Sequence, residues 1–265
     1  MARTAFDVTR GHSSRDRDRS TGTALRPLPT IRMDERESMV LAPLLDLNEV
    51  RSAIHDSNRD ANNVAWDTAL HQAVEAGGNL NSVPLVVFAV NYFWRANVQL
   101  SSDTLPFYCE KICREVESFR HRFGLLRSYG LPIWDEELLR LRVVDPSCDL
   151  LMDLLGRPDG STHYAFATKL LLWLAHVPPF DSRVRTAILR LTSVDLEPSN
   201  RSRDEVREKY SQLLEFYNCW LKQIHDARLQ DDLIEYDFVT QPDHLRMRNT
   251  LVRVVDKYFW LRGEP

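Results

Sequence analysis

Apolar residues recur at three- and four-residue steps along almost the whole chain from Ser38 onward, and this periodicity constrains the fold more than any other feature. In "MVLAPLLDLNEVRSAIHD", for example, Leu44, Leu47, Val50 and Ile54 lie on one helical face. We find no convincing alternation of apolar and polar residues of the kind that is typical of a half-buried strand. The sequence therefore predicts an all-α fold, a compact multi-helix domain of about nine or ten helices.

The ends of several helices can be predicted from residues that cap or break helices. The segment "NNVAWDTALHQAVEAGGN" begins with asparagines and ends at two glycines. A later helix, within "DTLPFYCEKICREVESFRHRFG", is expected to begin at Asp103 and end at Gly124, and the segment "LLRSYGLPIW" is expected to form a loop after it. Between them, "VPLVVFAVNYFWRANVQL" is apolar on most faces, which predicts a central helix. A long amphipathic helix is expected within "RSRDEVREKYSQLLEFYNCWLKQIHDARL", and a last helix within "LRMRNTLVRVVDKYFWLRG".

The first 35 residues differ from the rest of the chain. Their segment "RGHSSRDRDRSTGT" has no apolar periodicity and cannot bury enough surface to offset the entropy lost on ordering. We therefore expect a disordered tail over residues 1–35 and one helical domain over residues 36–265. The N-terminus lacks the apolar core of a signal peptide, and the longest apolar run is shorter than the roughly 20 residues that cross a bilayer. A cytoplasmic protein that does not enter the membrane is expected.

Charge and cysteine content narrow the classes of function. The net charge of −4 argues against a general binder of polyanions, although a local basic patch is compatible with it. The four cysteines form no C-x-x-C pair, and there is no H-E-x-x-H motif and no glycine-rich phosphate loop. We expect no metal and no organic cofactor.

The stretch "YAFATKLLLWLAHVPPFDSRVRTAILRL" holds one lysine, Lys169, in an apolar helix and delivers Asp181 at the start of the next helix. An unpaired ammonium group is costly to bury. Lys169 is therefore expected to pair with an acid such as Asp181, to line a pocket as a desolvated amine, or to reach solvent along its stem. Asp181 directly precedes an apolar-periodic segment, which predicts a helix N-cap.

The longer segment "CDLLMDLLGRPDGSTHYAFATKLLLWLAHVPPFDSRVRTAILRL" has a distinctive order. A short helix, a glycine-bracketed turn, an apolar helix, a proline-containing loop, an aspartate and a further helix follow one another. This order resembles the helix-hairpin-helix DNA glycosylase superfamily. The pieces "TKLLLWL", "PPFDSRV" and "RVVDKYFWLRG" look most like its bacterial oxoguanine-glycosylase-like branch. The resemblance covers roughly residues 147–192 and, more weakly, 247–262.

The resemblance implies a helix-hairpin-helix-like element that binds a phosphate of duplex DNA through backbone N–H groups. It also implies that Asp181 faces the sugar of an extruded modified or damaged base and stabilises the positive charge that develops there. Lys169 would be a pocket residue or the ion partner of that aspartate. The nucleophilic lysine of bifunctional members corresponds to His163 here, so the resemblance favours a monofunctional glycosylase. It assigns DNA contacts to Arg157, Gly160, His163, Arg183 and Arg185.

Each assignment has a structural alternative. His163 can be a hydrogen-bonded surface histidine, and Arg183 and Arg185 can belong to a solvated helix face. The hairpin "LLGRPDGS" keeps Gly156 and Gly160 but otherwise departs from the Leu-Pro-Gly pattern of the family. This departure and the net negative charge favour the alternative function, a non-catalytic all-helical module that keeps the scaffold and binds DNA or a protein.

Overall fold

The structure is a computed structural model that describes residues 46–76, 86–87, 90, 104–155, 163–199 and 202–264. These residues belong to one compact unit, Ser38–Pro265. The predicted tail, residues 1–35, and the glycine-bracketed turn at 156–160 lie outside the described residues. Within the described residues all regular structure is helical and no strand occurs, which confirms the all-α prediction.

The main helices are α1 (Leu47–Arg59), α2 (Ala61–Ala76), α3 (Thr104–Arg114), α4 (Val116–Tyr129), α5 (Glu136–Leu139), α6 (Asp145–Leu154), α7 (Tyr164–Ala175), α8 (Ser182–Thr192), α9 (Arg203–Asp226), α10 (Gln230–Thr240) and α11 (Leu251–Arg262). A π-helical segment, Arg140–Val144, joins α5 to α6 without a break. Of the predicted central helix, Val86, Val87 and Val90 are described, and all three are helical and buried.

Short polar side chains fix where five of these helices begin. The side chains of the residues before α1, α5, α8, α9 and α11 each accept a hydrogen bond from a backbone N–H group of the first turn; these residues are Asp46, Asp135, Asp181, Ser202 and Thr250. Such caps satisfy N–H groups that have no partner within the helix. The N-cap predicted at Asp181 is confirmed.

The predicted helix over residues 103–124 is wrong in its boundaries. The backbone breaks at Glu115, which separates α3 from α4, and α4 continues through Gly124 to Tyr129. A glycine costs a helix only about 1 kcal/mol relative to alanine. On α4 this cost is outweighed because Phe119, Phe123 and Leu126 are buried in the core. The first half of the segment predicted as a loop behind Gly124, residues 125–129, is therefore helical.

Two helices supply the centre of the core. Every residue of α7 except Ala165 is buried, and α7 packs against α2, α4 and α6. Residues 251–259 of α11 are all buried, between α1, α8 and α10. The ring of Trp220 on α9 stacks on Phe259 of α11 at 4.2 Å between centroids. Among the described helices, none has the length and apolar character that a membrane span requires.

Candidate functional site

Lys169 and Asp181 form a buried ion pair. Lys169 lies in the second turn of α7, and Asp181 caps the N-terminus of α8. The Lys169 Nζ atom is 3.3 Å from Asp181 Oδ2, and the two side chains are only 8% and 7% exposed. The other carboxylate oxygen, Oδ1, accepts the backbone N–H of Val184 at 2.9 Å. The ion pair with Asp181, one of the three environments that the sequence allowed for Lys169, is therefore present.

The loop between α7 and α8 is held by hydrogen bonds to α7 and α9. The backbone N–H of Phe180 donates to the Thr168 hydroxyl of α7 at 2.9 Å. The buried hydroxyl of Tyr210 on α9 donates to the carbonyl of Pro178 at 3.1 Å. Because these bonds anchor the residues directly before Asp181, they fix where its carboxylate stands relative to α7.

The structure places Arg185 in the interior. Its guanidinium donates to the carbonyl of Phe180 at 3.0 Å and to the carboxylate of Glu197 at 2.7 Å. The same group lies over the rings of Tyr164 and Phe180. In this structure Arg185 therefore packs against the α7–α8 loop. The side chain would have to leave these partners in order to contact a phosphate. The solvated helix face that was the alternative for Arg185 is wrong, because the side chain is buried.

Arg183 lies at the protein surface beside the end of α11. Its guanidinium is 3.7 Å from the centroid of the Trp260 ring and 2.9 Å from a carboxylate oxygen of Glu264. The side chain is about one-third exposed. Arg183 therefore has intramolecular partners but can be reached by a ligand, unlike Arg185.

The remaining predicted DNA contacts lie at or beyond the start of α7. His163 occupies the N-cap position of α7 and is partly buried. Arg157 and Gly160 lie outside the described residues. The structure thus brings together Lys169, Asp181 and Arg185 around one loop.

A second group of buried charges lies along α11, and sequence analysis missed it. Arg253 binds the carboxylate of Asp67 with Nη2–Oδ2 at 2.8 Å and that of Asp256 with Nη1–Oδ2 at 2.5 Å. Lys257 binds Asp237 of α10 with Nζ–Oδ1 at 2.6 Å. The only signal in the sequence is the presence of ionisable residues inside the apolar run "RVVDKYFW".

Electrostatic coupling joins this group to the Lys169–Asp181 pair. Burial raises the pKa of Asp256 to about 7, Arg253 opposes the rise, and the negative charge of Asp181 adds to it. Burial also raises the pKa of Tyr217, and Asp256 and Asp181 both contribute. We call the joined set the buried charge cluster: Asp67, Lys169, Asp181, Asp237, Arg253, Asp256 and Lys257.

The pKa of Asp237 is shifted in the opposite direction from that of Asp256. Burial would raise the pKa of Asp237, but the charge of Lys257 and hydrogen bonds from Lys257, Asn249 and Asn58 lower it overall. A carboxylate that accepts several hydrogen bonds and faces a cation is stabilised in its charged form. Its surroundings therefore hold Asp237 in the charged form.

Other features of the described residues do not add to this site. No group of three or more histidine, cysteine, aspartate or glutamate side chains within them is arranged to hold a metal ion. Burial raises the pKa of the Cys148 thiol to about 12, which makes it a poor nucleophile. An open groove of about 520 Å³ lies between α1 and the end of α11, and its lining does not include Lys169 or Asp181.

Comparison of the chain with protein-family models, with curated proteins and with solved structures found no match.

Proposed function

We propose that the protein is a DNA glycosylase that excises a modified or damaged base from duplex DNA, with Asp181 as the catalytic carboxylate. The observation that carries the proposal is the placement of this carboxylate at the N-terminus of α8, beside the Lys169 ammonium group. The resemblance of the surrounding sequence to helix-hairpin-helix glycosylases supplies the reaction type.

Asp181 would act through its charge. Cleavage of an N-glycosidic bond leaves positive charge on the sugar, and a preorganised carboxylate close to that sugar lowers the energy of the transition state. The hydrogen bond from Val184 N–H and the ion pair with Lys169 hold the two oxygens of this carboxylate in place. The carboxylate could equally orient the water that attacks the sugar.

Lys169 is proposed as the ion partner of Asp181 and not as a nucleophile. Its ammonium group is committed to the carboxylate at 3.3 Å, and an amine must lose its proton before it can attack a sugar. The position that corresponds to the family's nucleophile is His163. The reaction is therefore expected to end at base release, without cleavage of the DNA strand.

The burial of the pair sets a requirement on this mechanism. Both side chains are more than nine-tenths buried, so a nucleotide reaches Asp181 only if DNA binding opens the surrounding structure. Arg185 holds the same loop through the Phe180 carbonyl. Release of this arginine to a phosphate would loosen the loop at the moment when DNA is bound.

The same burial favours a second candidate, a non-catalytic helical module that binds DNA or a protein. In that case the Lys169–Asp181 pair has only a structural role, as an ion pair that joins α7 to the start of α8. The intramolecular partners of Arg183 and Arg185 fit this candidate. Base release separates the two functions.

The deciding experiment measures base release from a panel of duplexes that each contain one modified or damaged base. Wild-type protein is compared with Asp181→Asn and with Asp135→Asn, which makes the same substitution at the N-cap of α5. We expect release by the wild type and by Asp135→Asn, and a loss of about 100-fold or more for Asp181→Asn. No release from any duplex, together with binding of duplex DNA at low salt, would support the non-catalytic module instead.

Borohydride trapping tests the role of Lys169 separately. A monofunctional enzyme forms no Schiff base, so we expect no covalent protein–DNA complex after reduction. A trapped complex that is lost in Lys169→Ala would instead make this lysine the nucleophile of a bifunctional enzyme.

A further inference from the structure

The buried charge cluster contains more acids than bases. Its four aspartates face three basic side chains, Lys169, Arg253 and Lys257, so its members carry a net charge of −1 when all are ionised. Arg185 is buried beside the same loop, but its charge is balanced by the carboxylate of Glu197. An uncompensated charge is costly in the interior, and a buried acid relieves the cost by binding a proton. One of the four carboxyl groups is therefore expected to be protonated.

Hydrogen bonding identifies which carboxyl group has room for the proton. Asp67 accepts from Arg253 with both carboxylate oxygens. Asp237 uses one oxygen for Lys257 and the other for Gln241 and Asn249. In each of these carboxylates, a proton on either oxygen would displace a donor.

Asp181 and Asp256 differ from each other in whether both carboxylate oxygens face a donor. Asp181 Oδ1 accepts from Val184 N–H, and Oδ2 faces the Lys169 ammonium group. Asp256 Oδ2 accepts from Arg253, but Oδ1 is buried and accepts from no group in the described part of the chain. Of the eight carboxylate oxygens of the four aspartates, Asp256 Oδ1 is the one that a proton can occupy without displacing a donor.

We propose that, of the electrostatically coupled pair Asp181 and Asp256, Asp256 carries the proton, so that Asp181 stands as the carboxylate beside Lys169. Asp256 is then a positioning residue that acts through Asp181, and this role rests on the proposed glycosylase function. Two neighbouring carboxyl groups whose negative charges repel each other titrate as a pair, in two separate steps.

The groups that face Asp256 agree with this assignment. Arg253 of its own helix stabilises the charged form, while Asp67 of α2 and Asp181 at the start of α8 disfavour it. Tyr217 of α9 is also near, and its buried hydroxyl has no hydrogen-bond partner among the described residues. Burial, together with the charges of Asp181 and Asp67, raises the pKa of Asp256 to about 7, and Arg253 opposes the rise.

The location of the proton can be measured by NMR titration of protein labelled at the aspartate carboxyl carbons. We expect a midpoint near pH 7 in the wild type that is absent from Asp256→Asn. In Asp181→Asn the same midpoint should move to lower pH by about one unit or more, because a neighbouring negative charge is gone. Asp135→Asn, the matched surface control, should leave it unchanged.

The opposite pattern would overturn the assignment. If the midpoint near pH 7 persists in Asp256→Asn and disappears in Asp181→Asn, the proton belongs to Asp181. If neither substitution removes it, the proton lies outside this pair. Asp181→Asn alone separates the two assignments, because a midpoint that moves to lower pH supports Asp256 and one that disappears refutes it, so the assignment can be tested even if Asp256→Asn does not fold.

The positioning role is tested by the pH dependence of base release. We expect the wild-type rate of base release to change with pH, with the midpoint that NMR gives for Asp256. The size of the change should be about tenfold for each pKa unit of coupling between Asp256 and Asp181. Asp256→Asn should lack this inflection. An identical inflection in wild type and variant would refute the positioning role while the glycosylase function stands. Absence of base release by the wild type would refute both, whatever the titration shows.

Discussion

Asp181 and Lys169 have consequences for stability as well as for the proposed reaction. The gain from a buried ion pair is largely offset by the loss of hydration of both groups. The loss of one partner is nevertheless costly, because the other charge is left buried. Asp181 also caps α8, so its two contributions have to be separated by the choice of substitution.

Asp181→Asn is expected to lower the free energy of unfolding by about 3 kcal/mol, because it removes the charge that faces Lys169 and keeps a good capping side chain. Asp181→Ala should cost about 1 kcal/mol more, since it also removes the cap. Urea denaturation at pH 7 measures both values. A change below about 1 kcal/mol for Asp181→Asn would mean that the pair makes no net contribution.

At the residue scale, the sequence predicted what depends on near neighbours. The cap at Asp181 follows from its place before an apolar-periodic segment, and the pairing of Lys169 is one of the three environments that the cost of burying an ammonium group allows. The environment of Arg185 could not be predicted in the same way. Its position on α8 is compatible with a solvated face, and only the folds of the α7–α8 loop and of the segment after α8 bring the Phe180 carbonyl and Glu197 to it.

Helix α11 and helix α8 approach each other closely at Gly263. A Cβ atom at this position would lie 1.9 Å from the backbone carbonyl oxygen of Arg183, at the N-terminal end of α8. The backbone of Gly263 is otherwise ordinary, with φ at −88°. A glycine is therefore required here because there is no space for a Cβ atom, and not because of the backbone conformation.

Gly263→Ala is expected to destabilise the fold by about 2–3 kcal/mol, since backbone has to move to admit one methyl group. Gly124→Ala is the matched control, because a Cβ atom at Gly124 of α4 meets nothing within 4 Å. Inside a helix this change should stabilise by about 0.5–1 kcal/mol. Thermal unfolding of both variants gives the comparison, and a loss of stability in both or in neither would contradict the account.

At the element scale, apolar periodicity predicted helices well and their ends less well. Helix α10 was not predicted, because its buried face consists of Leu233 and a charged residue, Asp237, and so lacks an apolar stripe. Helix α4 passes through a glycine because its aromatic residues are buried by other helices. In both cases tertiary contacts that lie far away in the sequence outweigh the local preference.

The buried charge cluster belongs to the scale of the whole molecule. It joins six helices, or the residues that cap them: α2, α7, α8, α10, α11 and, through Asn58, α1. Asp67 and Arg253 are 186 residues apart in the chain. No local pattern connects such partners, so the sequence alone could not predict the cluster, although it allowed for the Lys169–Asp181 pair as one of three environments of the lysine.

The raised pKa of Asp256 makes stability depend on pH. Between the unfolded value, 3.8, and the folded value, about 7, the folded protein binds more protons at this group than the unfolded chain does. The free energy of unfolding therefore falls as pH rises through this window, by about 1.4 kcal/mol per pH unit, and levels off above pH 7. Below the unfolded value the contribution of this group is fully present.

Asp256→Asn isolates this effect, because the variant keeps the other titrating groups, including Asp237. The stability of the wild type relative to Asp256→Asn should decrease steadily from pH 4.5 to pH 7 and then stay constant. Urea denaturation of both proteins at a series of pH values measures the difference. A difference that is the same at every pH would show that Asp256 does not hold a proton in the folded state.

The most direct test of the account is the single-turnover rate of base release by wild type and Asp181→Asn, on whichever duplex the lesion panel identifies. Mass spectrometry of the released base and inspection of the DNA strand define the product. We predict a free base, an uncut strand, and a rate that falls by about 100-fold or more in the variant. Equal rates in the two proteins, with Asp181→Asn shown to be folded, would contradict the central claim that this carboxylate performs the reaction.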